Sequence, residues 1–517
     1  MDALVTITDT IDTYMYTYFL VFLLIGAGLY FTVRTKGVQF THLKDMFGVV
    51  TEKKHVEGEK SVSSFQAMMV STASRVGTGN IAGVATAIAV GGPGAVFWMW
   101  VMALINGASA FVESTLAQIW KVRGEDGEFR GGPAYYIEQA LHKRWLGIVF
   151  AVSLILCFAL GFNGLQTYNM SSSIEYFYNM AVFGQSVAPE ISDLPTYFQT
   201  QIPFAIGLLL AIVFAFVLFG GTHRISFLTS FIVPAMAILY LLLAVVMAIM
   251  NAGALPSVFG LIFGEAFNFS SIVGGFAGSM IVQGIKRGLF SNEAGMGSAP
   301  NAAASASVSH PAKQGLVQTL SVFIDTIVIC TCSAVMIMIF VQDPAHMALT
   351  PFGSNGEGTL TNMPLVQQTM LSAFGNVGIV FMTIAIFAFA FSSLIGNYFY
   401  AEQNFKFITD SRPALYVFRI VCAVVVFFGA QSNLTLAWNL ADIFMGFEAI
   451  INIVVILILG KWAFAALEDY KAQRAKGLDP VFVASDFPGM PATECWHETR
   501  DELQDVEGGR FLGNMQD

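Results

Sequence analysis

The chain has 517 residues; 55% are hydrophobic and only 12% charged, with a mean hydropathy of +0.66. Soluble domains carry about 25% charged residues, so this composition excludes an ordinary soluble enzyme or nucleic-acid binder, and the unit to count is the membrane span. The net charge is −10 and is concentrated late, with 11 acidic and 5 basic side chains in residues 463–517.

The start, MDALVTITDTIDTY, is acidic and has no basic region, so it does not read as a cleaved leader. Eleven apolar runs follow, near 14–33, 63–90, 95–120, 145–180, 202–219, 225–250, 261–285, 315–341, 373–405, 414–428 and 436–459. The second carries Arg75 and then Gly77-Thr78-Gly79-Asn80. Glycine weakens a helix locally, and arginine or asparagine at membrane depth must face protein, water or an ion. Two readings stand: a broken helix whose bare backbone binds a solute, or a seam of small residues for close packing. In the fourth run Asn163 and Gln166 are three apart and share a face. Their amides both donate and accept, which suits a zwitterion or another helix. The seventh run is interrupted at Gly274-Gly275-Phe276 and again at Gly278.

After it, Lys286–Gly295 reads as a capped, partly helical cytoplasmic segment, with Ser291 or Asn292 as the cap, or else as a plain connecting loop. In the ninth run Ser392 and Ser393 offer hard oxygen ligands to a small cation, or bonds to their own helix, with Asn397 close behind. Buried arginine needs a partner, and Asp325 or Glu113 is the expected one for Arg75. The five cysteines form no disulfide framework, and Cys495-Trp496-His497 lacks the ligand count of a metal site. The tail reads as a solvated acidic extension.

Basic residues fall in alternate loops, between runs 1 and 2, 3 and 4, 5 and 6, 7 and 8, 9 and 10, and after 11. The intervening loops near 181–201, 253–260, 342–372 and 429–435 hold no lysine or arginine. The positive-inside rule then places the N-terminus outside and the C-terminus in the cytoplasm. Eleven divides as one plus five plus five, and odd-numbered units have opposite topology, as in an inverted repeat. The expected organisation is a membrane domain over 1–462 and an acidic cytoplasmic tail over 463–517. Within the domain lie a peripheral first helix (14–33), a first unit (63–250) and an inverted second unit (261–459). Two glycine-broken spans in matching positions favour the solute-binding reading of Gly77–Asn80. No GxxxxGK[ST], HExxH, GxSxG or TVGYG-like stretch occurs, so ATP-driven transport, the commoner hydrolases and a potassium-type filter lack their marks.

Four segments resemble the alanine or glycine:cation symporters, the sodium:alanine symporter family. They are RVGTGNIAGVATAIAVGGPGAVFWMW (75–100), GGPAYYIEQAL (131–141), KRGLFSNEAGMGSAP (286–300) and HPAKQGLVQTLSVFIDTIVICT (310–331), and the likeness extends over about 15–465. The resemblance implies an all-α polytopic protein of the LeuT type: a 5+5 inverted repeat behind one extra helix, eleven spans in all. It implies multi-pass insertion in a prokaryotic inner membrane, no cofactor, no ATP, and symport of a small neutral amino acid with Na⁺. A proton-coupled carrier and a non-transporting amino-acid receptor are the alternatives. By the same likeness Gly77, Thr78, Gly79, Asn80, Asn163, Gln166, Gly274, Gly275, Phe276 and Asn397 are expected at the substrate. Val76 (by its carbonyl), Asn80, Ser392 and Ser393 are expected at sodium. The ninth span departs from the family pattern S-T-x-x-G-W-Y-Y-Y-G-E, because Asn397 stands where tryptophan is usual. An amide for a large ring implies a roomier, more polar pocket, suited to glutamine, asparagine or serine.

Overall fold

A computed structural model describes residues 2–52, 62–125, 127–183, 196–267, 280–343, 346, 360–432 and 434–496. Lipid offers the backbone no hydrogen-bond partners, so an apolar chain of this kind must fold into helices. In chain order they are α1 (Thr6–Arg34), α2 (Ser64–Arg75), α3 (Ala82–Gly91), α4 (Gly94–Ile119), α5 (Arg144–Ile174), α6 (Gln201–Leu218), α7 (Arg224–Met250), α8 (Met280–Asn292), α9 (Ala299–Ala304), α10 (Pro311–Val341), α11 (Asn362–Ile408), α12 (Arg412–Gly429) and α13 (Ala437–Ala475). Among the described residues nine are long and apolar enough to cross a bilayer; α2, α3, α8 and α9 are short, and further short helices cover Val38–Thr41, Leu43–Val50, Pro133–Leu141 and Leu255–Glu265.

Burial separates an inner layer from an outer one. The apolar windows of α4, α10 and α11 are 67% buried, whereas those of α7 and α12 are 28% and 22% buried and turn leucine, isoleucine and phenylalanine outward. α4 is the central post, packing on α1, α8, α9, α10 and α13. The short helices pair crosswise. α2 packs against α9 and α3 against α8, and the chain entering α2 at Val62 bridges Ala306 just beyond α9. Two interrupted helices therefore lie side by side and antiparallel.

The first interruption begins where α2 ends. Ser63 and Gln66 form a capping box at its start. At its end Val76 has ψ 82, Gly77 is extended, and one tight turn over Thr78–Asn80 leads into α3. A Cβ at Gly77 would lie 2.7 Å from Gln166 Nε2 and Ser393 Oγ, so a side chain there would displace the two polar ends that close on the break.

The second interruption is Glu293–Ser298, between α8 and α9. Glu293, Gly295 and Gly297 have φ of 55°, 91° and 88°, a left-handed backbone that glycine adopts without cost. The break expected at Gly274, Gly275 and Phe276 lies outside the described residues. The stretch Lys286–Gly295, expected as a partly helical cytoplasmic segment or a plain loop, is helical as far as Asn292, as part of α8, and α8 is buried between α3 and α4. Lys286 pairs with Asp12 (2.5 Å) and Asp442 (3.1 Å), and Arg287 with Asp442 (2.7 Å). Counting charges along a sequence cannot see partners that arrive from α1 and α13, which is why these two cations look like cytoplasmic residues.

Nor is the tail wholly solvated. Residues 478–496 lie on one end of the bundle, with Val481, Phe482 and Val483 buried. His310 sits beneath them and caps α10: its Nδ1 accepts from the Ala312 amide, and Nε2 faces Asp469. Burial holds this imidazole below its usual range.

Both breaks expose amide groups, and Glu113 of α4 satisfies the second. Its carboxylate accepts from the Gly295 and Gly297 amides (3.2 and 3.1 Å) and from Asn452 Nδ2 (2.7 Å). An orphaned buried donor costs about 1–3 kcal/mol. Glu113→Ala orphans two and is expected to lower the detergent-solubilised melting temperature by several degrees, whereas Glu113→Gln, which keeps one acceptor, loses less. Equal melting of the two variants contradicts this role.

Candidate functional site

The two breaks face each other across a fully buried polar cluster. Ser74, in the last turn of α2, donates to Glu293 Oε1 (2.6 Å) of the second break and lies 2.7 Å from Asn397 Oδ1 of α11. Ser298 donates to the other oxygen of Glu293 (2.7 Å). One carboxylate thus ties both breaks together.

Amides from α5 close on the first break. The Thr78 amide donates to Gln166 Oε1 (2.9 Å), and Asn169 Nδ2 donates to Thr78 Oγ1 (2.8 Å). Asn163 reaches the cluster through Asn397, whose Nδ2 donates to Asn163 Oδ1 (3.0 Å). Gln166 and Asn163, expected on one face, do arrive at one place. Asn397 is also there, fully buried, with both ends of its amide engaged.

Asn80 points the other way. Its Oδ1 accepts from the Gly77 amide (3.0 Å), while Nδ2 donates to Asp325 Oδ1 (2.6 Å) and Ser291 Oγ (2.9 Å). Asp325 also accepts from Ser291 (2.5 Å) and Thr326 (2.8 Å) on its second oxygen. A fully buried carboxylate here meets only neutral hydrogen-bond partners, all with oxygen or amide heads apart from the nearby Cys330 thiol. Such a carboxylate is costly unless a cation or proton joins it.

Across α2, Ser393 Oγ donates to the Ser74 carbonyl (2.7 Å), at the turn where the helix begins to open. Ser392 bonds its own helix at the Phe389 carbonyl (2.9 Å) and faces Met236 sulfur. The two serines therefore differ: Ser393 touches the break, and Ser392 sits beside it.

Arg75 is 1% exposed and holds Gln318, with Nη1 3.4 Å from both the carbonyl and the side-chain oxygen. Among the described residues no ion pair joins it to Asp325 or Glu113, the expected partners, because those carboxylates are engaged at Asn80 and at the second break. Its charge is instead spread over Glu113, Glu293 and Asp325 at longer range.

Sequence reasoning missed the aromatic roof. Phe290 of α8 packs against Gly79, where an added Cβ would overlap two carbons of its ring. Phe290 also meets Phe162 (4.5 Å between centroids) and Trp438 of α13 (5.1 Å). Arg287 lies 3.9 Å over the Trp438 ring. Beyond this roof a cavity of about 510 Å³ is lined by Asp12, Tyr16, Lys286, Arg287, Trp438 and Asp442, among others. The available signal was the spacing of Arg287 and Phe290, three apart on one face of a segment that reads as partly helical.

The profile of the sodium:alanine symporter family matches residues 1–484. The amino-acid carrier protein AlsT of Bacillus subtilis is 45% identical over 94% of this chain and 96% of its own. The probable sodium/glutamine symporter GlnT of the same organism is 43% identical over 92% and 93%. The sodium/alanine symporter AgcS of Methanococcus maripaludis is 35% identical over 88% and 94%. Among solved structures, MhsT in complex with L-phenylalanine superposes with a TM-score of 0.51, covering 79% of this chain and 96% of its own, at 16% identity. That likeness shows the fold, which is of the LeuT type. With the family profile spanning nearly the whole chain, this multi-pass membrane protein belongs to the sodium:alanine symporter family.

Proposed function

We propose that the chain is a secondary symporter that carries a neutral amino acid together with Na⁺ by alternating access. The observation that carries this is the pair of facing helix breaks, with a cation-ready carboxylate on one flank and an amide belt on the other. The bare backbone of Gly77–Asn80 supplies N–H groups for the substrate carboxylate, as at the half-helix ends of other carriers. Asn163, Gln166 and Asn397 line the substrate. Asp325, Ser291 and Thr326 supply the hard oxygens that suit one sodium, with Asn80 holding Asp325 and Ser291 in place through its Nδ2, and Ser393 with the Val76 and Ser74 carbonyls suits another. The nine long spans among the described residues, together with the interrupted pairs α2–α3 and α8–α9, support the reading of eleven membrane segments. The cavity beyond Phe290 and Trp438 is the approach from outside, and the end bearing the tail faces the cytoplasm.

Asp325 equally supports a proton in place of sodium, since either neutralises a carboxylate that has only neutral partners. Proteoliposomes loaded and diluted to impose a Na⁺ or a pH gradient separate the two. Accumulation driven by Na⁺ and indifferent to the pH gradient supports the sodium reading; the opposite result replaces it. Asp325→Asn removes the charge while keeping the size, and is expected to weaken the apparent Na⁺ affinity about ten-fold or more, about 1.4 kcal/mol per decade. Unchanged sodium dependence in this variant removes Asp325 from the site.

The substrate we infer is larger or more polar than alanine, with glutamine, asparagine and serine as the leading class. Asn397 presents an amide where a family tryptophan would fill space, and a relative carrying the name of a probable sodium/glutamine symporter is 43% identical. Asn397→Trp is expected to lower glutamine uptake about ten-fold relative to alanine, because a pocket built for hydrogen bonds discriminates strongly. A panel in which the unaltered protein takes up alanine and glycine far better than every polar amino acid sinks this assignment.

A further inference from the structure

The tail packs where the start of α2 meets the segment after α9, and it does so through specific contacts. From α13, Gln473 grips Val481 at both backbone groups (2.8 and 2.9 Å). The chain then crosses the segment after α9. The Phe482 amide donates to the Ser309 carbonyl (2.9 Å), and Ser309 Oγ donates to the Pro480 carbonyl (2.7 Å). Lys313, 2% exposed, pairs with Asp479 (2.6 Å) from the tail and Glu52 (2.8 Å). At the far end Trp496 Nε1 donates to the Gln118 carbonyl of α4 (2.8 Å), and the Glu494 carboxylate accepts from the Arg123 amide (2.8 Å). Phe482 and Trp496 meet edge to face at 5.2 Å.

Beneath Trp496 lies a small apolar cluster of Ala67, Ala306 and Val308, with Val62 at its edge. Ala67 belongs to the first turns of α2, and Ala306 follows α9. Gln118 and Lys121, against which Trp496 packs, in turn hold the Ala306 carbonyl (3.0 and 3.1 Å). The tail thus crosses from α13 to α4 over the point where α2 and α9 meet. If that end is to open, these helix halves must part from α4 or from one another. Either motion strips Trp496 or Phe482 from its seat.

We propose that residues 478–496 are a strap that holds this end of the bundle closed and must release before that end can open. This rests on the carrier reading above, because only an alternating protein has an end to open. The strap is anchored by buried aromatic and backbone contacts, so releasing it exposes apolar surface, which is unfavourable. It therefore weights the population toward the state open at the opposite end. Its last anchor, Trp496, lies beyond residue 484, where the family profile ends.

The test uses the full-length protein in proteoliposomes, with the five native cysteines replaced. A cysteine at Ser71, on α2 one turn further in than Ala67, reports access from the tail end through its rate of maleimide labelling in Na⁺. Phe482→Ala with Trp496→Ala, and separately a stop after Gly477, are expected to raise that rate about five-fold or more. In a second arm, a short reducible linker joins Ser309→Cys to Pro480→Cys. Transport should then fall to a small residual and return on reduction. An unchanged labelling rate in both released variants, or full transport by the linked protein, overturns the strap. Labelling needs no substrate, so the two failures are distinguishable: a protein that transports nothing in any form, linked or free, tells against the carrier reading, whereas unchanged labelling in released variants of a protein that does transport tells against the strap alone.

Discussion

Everything in this structure bends to the need to satisfy bare backbone at two helix breaks inside a bilayer. An unpaired amide at membrane depth costs several kcal/mol (about the price of a whole hydrogen bond in hydrocarbon), and each break leaves several. The inner layer of helices can be read as the set of donors and acceptors that answer them. Gln166 and Asn80 cover the first break. Glu113 and Asn452 cover the second. Glu293 with Ser74 spans the two. A break held by side chains rather than by its own ladder is also a break that a ligand can take over, since a substrate carboxylate or a cation supplies the same bonds.

The second theme is charge without ready counter-charge. Glu113, Glu293, Asp325 and Glu448 are all fully buried, and Arg75 is the buried cation nearest the breaks. Hydrogen bonds from neutral groups soften that imbalance, and a buried acid that is still unneutralised calls for a proton or a cation. Such an acid attracts small cations, and binding one would draw Asn80 and its neighbours into a fixed geometry. Coupling then has a plain physical form: the ion makes the binding conformation of the first break cheaper to hold, and the substrate finds it already formed. On the other side of the roof the balance is restored locally, where Lys286 and Arg287 meet Asp12 and Asp442. The first helix is therefore more than packing, because α1 delivers Asp12 to a buried lysine.

Much of this was legible in the sequence. Composition forced a helical membrane protein. The Gly77–Asn80 interruption, the Asn163 and Gln166 spacing and the alternating basic loops each have a local cause that reads directly along the chain. The second break did not. Its glycines at 295 and 297 close a segment whose lysine and arginine, read locally, mark a cytoplasmic and only partly helical stretch, and the break expected at Gly274, Gly275 and Phe276 lies outside the described residues. The polar residues at the end of the chain likewise hide a docked segment, because Phe482 and Trp496 are isolated aromatics in an acidic stretch and carry no periodic signal.

What the sequence determined by itself, then, is what nearest-neighbour physics determines: hydropathy, helix-breaking and the sharing of a helix face. The family followed from long matched segments, which preserve those same local demands. Only the tertiary structure decided partners: Arg75 with Gln318 instead of an acid, Asp325 with Asn80 and Ser291, Lys286 with Asp12, and Trp496 with the end of α4. The reason is that buried polar groups are stabilised by whatever reaches them in space. In a bundle of antiparallel broken helices, those groups come from hundreds of residues away.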